Sequence, residues 1–282
     1  MRKEFITTLE TLALKDERIV FLTADLGFMV LESLRDKIPD RFFNVGVCEQ
    51  NMIGMATGLA QQGLLPFCYS IIPFAVYRPF EIIRNACYQN LPIRIIGMGA
   101  GFDYGTAGYT HFGLEDIGVL RTIPNIHIYS PCDSPQAAFI LKQTYDKPVP
   151  TYYRLSKDST DLGIGCAKDY IYEKIRSTDT LYIATGDISD DVLAEAEKEN
   201  ASVLLFGKLH PLSDFPEKLT GYRTIVTFEM HVQHGGLGTI IAEMLAKYSL
   251  RITTFDTRAV HLHLSKTFVG TKQQLECAHG LR

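Results

Sequence analysis

Short apolar runs alternate with amphipathic segments along most of the chain. The runs have the length of buried strands, and the segments between them repeat apolar residues at helical spacing. This pattern predicts parallel βαβ units with helices on both faces of each sheet. Strands are predicted at residues 19–23, 42–47, 66–71, 93–97, 126–129, 150–154, 181–184, 202–206, 224–227 and 251–255, and helices at 5–14, 31–37, 51–62, 80–89, 113–122, 134–145, 190–200, 215–219 and 236–248.

A turn-rich stretch of mixed composition interrupts the alternation after residue 156. We therefore expect an α/β protein with two doubly wound domains whose sheets are mainly parallel. The first domain is predicted at residues 1–160, a linker at 161–178 and the second domain at 179–282. A chain of 282 residues is long enough for two such domains, each with a core of its own.

Composition narrows the class of protein. Hydrophobic residues make up 46% of the chain and charged residues 21%, as is ordinary for a soluble globular protein. The net charge of −4 argues against a nucleic-acid surface, and no apolar run reaches the roughly 18 residues of a membrane helix. The six cysteines contain no CxxC pair, so reduced thiols are expected. A cytoplasmic protein with small-molecule substrates is favoured, without nucleic-acid or membrane partners.

One carboxylate stands out because of its place in this pattern. Glu49 follows the predicted strand 42–47 and precedes a helix rich in small and apolar residues that stops at Gly63. Such a position predicts a partly buried side chain. Desolvation raises the pKa of a carboxyl group, so a buried glutamate can hold or donate a proton near neutral pH. The alternative interpretation is structural: the glutamate pairs with an arginine or caps the helix.

Two segments carry a family resemblance. Residues 49–52, E-Q-N-M, with G-L-A at 58–60, resemble the pyrimidine-binding domain of transketolases and related thiamine diphosphate enzymes. The resemblance implies that Glu49 hydrogen-bonds N1′ of the cofactor's aminopyrimidine. Residues 99–125 resemble the transketolase stretch with the active-site histidine, which implies that His111 contacts substrate oxygens. Residues 226–229 and 235–238 are similar to part of the transketolase C-terminal domain. Glu49 and His111 are the expected catalytic residues.

The resemblance also implies a pocket for thiamine diphosphate. Residues 69–80 align with a family loop whose aromatic side chains pack on the pyrimidine ring. Aligned on residues 80–84, those aromatics fall at Ile72 and Ala75, and Phe74 or Tyr77 would replace them only if the loop shifts by one or two residues. The expected cofactor contacts are Glu49, Asp25, Ile72, Phe74, Ala75 and Arg78.

Substrate recognition differs from the family pattern. A family serine and a family histidine that help to hold the sugar phosphate map to Met29 and Gly99, and an aspartate that recognises the donor's hydroxyl maps to Ala107. Two family cations are retained, one of them as lysine, which lacks the bidentate fork of arginine. These changes predict an unusual anionic, branched or nucleotide-linked sugar. The expected substrate-binding residues are Arg2, His111 and Lys157.

The chain lacks the G-D-G element and later asparagine with which transketolases bind the diphosphate through Mg²⁺; the similar string at 186–188 has no such asparagine. No metal site is therefore expected in this chain, and a separate N-terminal transketolase subunit is expected to hold Mg²⁺ in an α₂β₂ assembly. Gly54 and Gly58 share one helix face, which suits close approach of a partner helix or of this domain's own sheet.

Three functions stay open from the sequence. The resemblance favours a transketolase-like subunit that transfers a two-carbon ketol unit between sugars. The second possibility is the β subunit of a 2-oxoacid dehydrogenase-type enzyme, or an enzyme similar to deoxyxylulose-phosphate synthase. The third is a non-catalytic nucleotide-binding module, which would leave Glu49 and His111 without a joint explanation.

Overall fold

Apolar strands covered by helices form two sheets in the computed structural model, which describes residues 1–157, 160–165, 170–212, 215–262 and 269–281. The chain up to residue 155 forms α1 (Arg2–Ala13), β1 (Ile19–Thr23), α2 (Glu32–Lys37), β2 (Phe42–Asn44), α3 (Glu49–Gln61), β3 (Leu65–Ile71), α4 (Ile72–Val76), α5 (Phe80–Tyr88), β4 (Arg94–Met98), α6 (Asp116–Leu120), β5 (His127–Tyr129), α7 (Ser134–Thr144) and β6 (Thr151–Leu155). The rest forms β7 (Ile171–Lys174), β8 (Thr180–Ala184), α8 (Ser189–Glu199), β9 (Ser202–Phe206), β10 (Lys208–His210), α9 (Pro216–Leu219), β11 (Thr224–Val232), α10 (Leu237–Lys247), β12 (Thr254–Val260) and α11 (Lys272–Ala278).

Both sheets are mainly parallel, as predicted. In the described part of the chain, the first sheet has seven strands in the order β10-β5-β6-β4-β3-β1-β2, and the second has five in the order β12-β11-β8-β9-β7. The strands β1, β3, β4 and β6 are buried along their whole length, as parallel strands covered by helices on both faces must be. The exceptions are β10, antiparallel to β5, and β7, antiparallel to β9.

Several boundaries differ from the predicted ones because tertiary contacts decide them. The strand predicted at 42–47 ends at Asn44, whose side-chain oxygen accepts from the backbone N–H groups of Asp25 and Gly46. Part of the predicted linker forms β7 of the second sheet, and β10, from the second half of the chain, joins the first sheet. The division into domains at residues 160 and 179 therefore stays a prediction.

A buried ion pair joins the first sheet to the second. Arg154, near the end of β6, donates from Nε to Asp116 Oδ2 over 2.9 Å, and from one Nη to the backbone oxygens of Gly113 at 2.7 Å and Met230 at 2.8 Å. The hydroxyl of Tyr152 donates to the same carboxylate oxygen over 2.7 Å. Because Met230 belongs to β11, one guanidinium connects β6, the start of α6 and the second sheet.

Glu229 caps α10 from inside the second sheet. This buried carboxylate accepts from the backbone N–H groups of Leu237 at 2.6 Å and Gly238 at 2.9 Å, the unpaired donors of the first helical turn. Burial raises the pKa of Glu229 to about 7. A Cβ at Gly236 would lie 1.9 Å from a Glu229 oxygen, so this position requires glycine. The resemblance at residues 226–229 and 235–238 thus has a structural cause. Within the described ranges, every helix is too short or too polar to span a bilayer.

We predict that Arg154→Met destabilises the protein strongly. The change leaves Asp116 buried without its cation, and breaking a buried pair in this way costs about 3–5 kcal/mol. Urea unfolding should show a much lower midpoint, whereas Arg223→Met, which removes a side chain 71% exposed, should leave the midpoint nearly unchanged. The double variant Arg154→Met/Asp116→Leu should be more stable than Arg154→Met alone. A midpoint for Arg154→Met close to that of the unmodified chain would contradict this role.

Candidate functional site

A glycine-rich loop between β4 and α6 displays His111. The loop is closed at its base, where Gly101 and Gly113 exchange backbone hydrogen bonds of 2.8 Å and 3.0 Å. Gly99, Gly101 and Gly108 all have positive φ, a conformation that side chains other than glycine rarely adopt. Between the closed ends, two short 3₁₀ turns lead the chain out and back, and His111 is the last residue of the second turn.

Glu49 is the first residue of α3 and its side chain is only 2% exposed. The burial agrees with the sequence-based expectation. Nη1 of Arg78 donates to Glu49 Oε2 over 2.9 Å, which is the ion pair that the structural interpretation predicts. The arginine side chain is 47% exposed, so the pair is anchored on the glutamate side and open to solvent on the other. The ion pair between Arg78 and Glu49 is therefore compatible with a role of Glu49 at a cofactor.

Phe74 connects this carboxylate to the histidine. The guanidinium carbon of Arg78 lies 4.1 Å from the centre of the Phe74 ring, and the His111 ring meets the same phenyl ring edge-on with centroids 5.0 Å apart. Burial, and then the charge of Arg78, lowers the pKa of His111, so this imidazole is neutral near pH 7. The Thr110 hydroxyl lies 2.9 Å from His111 Nδ1. Glu49 and His111 therefore border one site.

Two cations lie on the other side of His111, around Tyr104. The Tyr104 ring is 6.4 Å from the His111 ring, and Lys157 Nζ sits 3.5 Å from the centre of the tyrosine ring. The Arg2 guanidinium lies near Tyr69 and Tyr104, where its charge opposes the rise in the pKa of both phenols that burial causes. Both predicted substrate-binding cations thus meet on one aromatic side chain next to His111.

The sequence alone did not single out Tyr104. A Cβ at Gly99 would lie 2.2 Å from the Tyr104 ring, so the ring fills the space in which a side chain at residue 99 would stand. The sequence signal for the position of Tyr104 was the glycine at residue 99 in place of the family histidine, because a missing side chain leaves space that a neighbouring ring can fill. Burial raises the pKa of Tyr104, which keeps the phenol neutral.

Two expected cofactor contacts are fully buried within the chain, and their assignment stays a prediction. Ile72 and Ala75 are both 0% exposed in α4, which leaves them no surface for a ring to pack on. Phe74 is half-buried and faces Arg78 and His111, so it is the aromatic candidate of this segment. The Tyr77 hydroxyl instead donates to Glu115 over 2.9 Å. Helix α4 buries four of its five residues and leaves only Phe74 partly exposed.

Asp25 and Met29 lie on the loop after β1, apart from the contacts above. Asp25 has φ of 56° and accepts from the Asn44 side chain over 3.1 Å at the ends of β1 and β2. It borders a cavity of about 160 Å³ with Leu26 and Gly27. Met29 is 92% exposed, so the residue at the family's serine position offers an apolar contact surface here.

Apolar side chains are exposed around the Glu49 end of the first sheet. The β2–α3 surface, as we call it, consists of Phe28, Met29, Phe43, Val47 and Met55, which are between 36% and 92% exposed. On α3, a Cβ at Gly54 or Gly58 would have no neighbour within 4 Å, so this helix face does not pack on the chain's own sheet. Exposed apolar area of this kind marks an interaction surface. Among the residues that the structure describes, no group of three or more His, Cys, Asp or Glu side chains is placed to hold a metal ion.

Comparison with known proteins gives consistent matches. Residues 1–161 match the family model described as the transketolase pyrimidine-binding domain. A protein of Methanocaldococcus jannaschii, provisionally described as a transketolase C-terminal section, is 34% identical over 89% of this chain and 83% of its own length. One of the subunits of the apulose-4-phosphate transketolase of Phocaeicola vulgatus is 31% identical over 87% of this chain and 83% of its own length. A 6-deoxy-6-sulfo-D-fructose transketolase subunit of a Clostridium species is 31% identical over 88% and 81%.

A solved structure agrees over almost the whole chain. It is described as a split-gene transketolase in the form of an inactive β₄ tetramer, and it superposes with a TM-score of 0.86 at 29% identity, over 99% of this chain and 93% of that one. The 1-deoxy-D-xylulose-5-phosphate synthase of Syntrophotalea carbinolica also matches, at 31% identity over 98% of this chain but only 45% of its own length.

Proposed function

Because this chain belongs to the transketolase family and matches the C-terminal subunit of split transketolases, we propose that it transfers a two-carbon ketol unit between sugars as part of a thiamine diphosphate-dependent enzyme. The observation that carries the proposal is the chain of contacts that links Glu49, through Arg78 and Phe74, to His111. A non-catalytic module would have no use for this pairing. A cytoplasmic location stays a prediction from the sequence.

The residues around Glu49 fit the aminopyrimidine part of thiamine diphosphate. That ring is flat and carries a basic ring nitrogen, N1′, and the site offers a half-buried phenyl ring, Phe74, linked through Arg78 to a buried carboxyl group. When bound, the cofactor supplies the carbon nucleophile that takes up and releases the two-carbon unit. Glu49 would hold a proton at N1′, and Arg78 would keep the carboxyl group oriented. The diphosphate and its Mg²⁺ are assigned to the partner subunit.

His111 is assigned to the substrate. A neutral imidazole can accept a proton from a sugar hydroxyl and return it, and a lowered pKa keeps His111 in that state at neutral pH. The contact between Thr110 and Nδ1 fixes the ring, so we assign Nε2 to the substrate oxygens. Because the loop is closed at Gly101 and Gly113, the imidazole position is set by the backbone.

Arg2, Lys157 and Tyr104 are proposed to hold an acidic group at the far end of the sugar. Lys157 over the neutral Tyr104 ring and Arg2 near the same residue form a compact positive site next to His111. The related proteins from Phocaeicola vulgatus and the Clostridium species are named for a sugar phosphate and for a sulfo sugar, which share a terminal anion. We therefore propose an anionic sugar substrate, with Ala107 relaxing the recognition of the donor's hydroxyl groups.

The β2–α3 surface is proposed to contact the N-terminal partner subunit in an α₂β₂ assembly. Val47 and Met55 of this surface flank Glu49 along the chain, so a partner seated there would close the cofactor site and bring its own diphosphate ligands to it. The open face at Gly54 and Gly58 would let a helix approach closely. The related split-gene protein is described as inactive in its β₄ form, which supports the need for a second type of chain.

The first prediction for this function is that the purified chain alone has no ketol transferase activity and binds thiamine diphosphate weakly, because the diphosphate ligands are supplied by the partner. Co-expression with a chain that carries the G-D-G…N element should yield an α₂β₂ complex that converts sugar phosphates. Mass photometry measures the assembly of the complex. A coupled assay measures ketol transfer, with pyruvate offered as an alternative donor. Full activity of the isolated chain, or use of pyruvate in place of a ketose, would overturn the proposal.

Glu49→Gln should slow hydrogen exchange at C2 of the bound cofactor by several orders of magnitude, while cofactor affinity falls much less. Glutamine keeps a hydrogen bond to N1′ but cannot supply a proton, and the loss acts on the chemical step. Exchange is followed by NMR after acid quench in the assembled enzyme. Glu81→Gln, which changes an exposed glutamate of α5, is the matched control. Exchange at the unmodified rate in Glu49→Gln would remove Glu49 from the proposed role.

His111→Ala and Lys157→Ala should separate chemistry from binding. Loss of His111 should lower kcat and kcat/KM together by about 10²-fold or more, the range for one positioned acid or base. Loss of Lys157 should raise KM for the anionic sugar by about tenfold or more at nearly constant kcat, because a charge-assisted contact made equally in ground and transition states is worth about 1.5–3 kcal/mol. Lys142→Ala, on α7, should change neither constant. An unchanged KM in Lys157→Ala would contradict the assignment of the anion site.

A further inference from the structure

The last helix, α11, packs on the loop that carries His111. Leu275 is fully buried, and its side chain lies 2.4 Å from where a Cβ on Gly105 would stand. The backbone N–H of Gly270 donates to the Gly105 oxygen over 3.2 Å. His279, just after the helix, stacks on Phe102 with ring centroids 5.8 Å apart. The C-terminal part of the chain therefore forms one wall of the loop.

The first residue of α11 places a cation between two buried carboxylates. Lys272 Nζ forms ion pairs with Asp187, from the turn after β8, and with Asp103 Oδ1 at 3.2 Å, from the His111 loop. The two aspartate side chains are 1% and 2% exposed. Buried carboxylates without a cation would repel each other and lose solvation. Lys272 thus ties the loop to the second sheet through charge.

Asp103 connects Lys272 to Lys157, the lysine of the proposed anion site. Its second carboxylate oxygen, Oδ2, accepts the backbone N–H of Lys157 over 2.7 Å, and its backbone oxygen accepts from Lys157 Nζ over 2.9 Å. The same ammonium group lies on the face of Tyr104. One aspartate therefore fixes both the backbone and the side chain of Lys157, and Lys272 fixes the aspartate.

We propose that Lys272 is a positioning residue for substrate recognition: by holding Asp103, it keeps the Lys157 ammonium on Tyr104 in the place where an anionic sugar binds. The inference rests on the proposed function for the identity of the ligand. The dependence of the Lys157 position on Lys272 follows from the contacts alone and does not rest on the proposed function. The C-terminal domain therefore tunes affinity for substrate from outside the site, and Lys272 itself contacts neither cofactor nor substrate.

The kinetic test uses Lys272→Met in the assembled enzyme. KM for an anionic ketose should rise about tenfold, as for a lost charge-assisted contact, while kcat stays within about twofold. Lys272→Arg, which restores the cation, should recover most of the affinity. Lys218→Met is the matched control, since it removes a similarly exposed lysine that pairs with Glu173 away from the site. A lowered kcat with an unchanged KM would overturn the inference.

A second measurement does not depend on activity. Hydrogen exchange of the isolated full chain, followed by mass spectrometry, should show faster exchange of the Lys157 amide in Lys272→Met but not in Lys272→Arg. If Lys272→Met fails to fold, Lys272→Met/Asp187→Asn removes the same contact to Asp103 with one buried charge fewer. Unchanged exchange at Lys157 would overturn the inference. If the assembled enzyme transferred no ketol unit but exchange rose as expected, the proposed function would fail and the positioning role would stand.

Discussion

The buried Arg154 guanidinium is the constraint on which the arrangement of the site depends. It lies near the carboxyl end of β6, is 1% exposed, and its acceptors come from the His111 loop, from α6 and from β11 of the second sheet. A buried guanidinium must satisfy its donors, so these three segments cannot move apart without exposing an unpaired charge. The loop base at Gly113 is fixed by this requirement, and the position of His111 follows from the loop base.

The charged side chains of the site form two groups, with Phe74 and His111 between them. On one side, Arg78 and Glu49 form a pair whose carboxylate is buried and whose guanidinium reaches solvent. On the other side, Arg2 and Lys157 gather on Tyr104. The imidazole between them is kept neutral by burial and by the nearby arginine. A neutral imidazole between a buried ion pair and a group of cations is the arrangement from which the proposed roles of Glu49, His111 and Lys157 are argued.

The sequence predicted the parts of the fold that local pattern controls. Strands β1 and β9 begin and end where the predicted strands do, because a strand buried on both faces is mostly apolar and so stands out as an apolar run. Strand β10 was not predicted, since a short strand of ordinary composition is created by its antiparallel partner β5. Helix α11 was not predicted for a related reason: its capping box at Thr271 is a local signal, but the burial of Leu275 comes from the His111 loop.

The sequence singled out candidate site residues by residue type, whereas their contacts come from the fold. Glu49 and His111 were named from sequence patterns, and the fold links them through Arg78 and Phe74, while their catalytic roles stay proposals. Ile72, Ala75 and Tyr104 could not be placed, since alignment in a loop does not determine which side chains a short helix turns inward or which ring fills the space above Gly99. The sequence left open what the Gly54 and Gly58 face of α3 packs against, and the structure shows that this face is open. The open face of α3 and the exposed apolar side chains of the β2–α3 surface fit the proposed contact with another subunit.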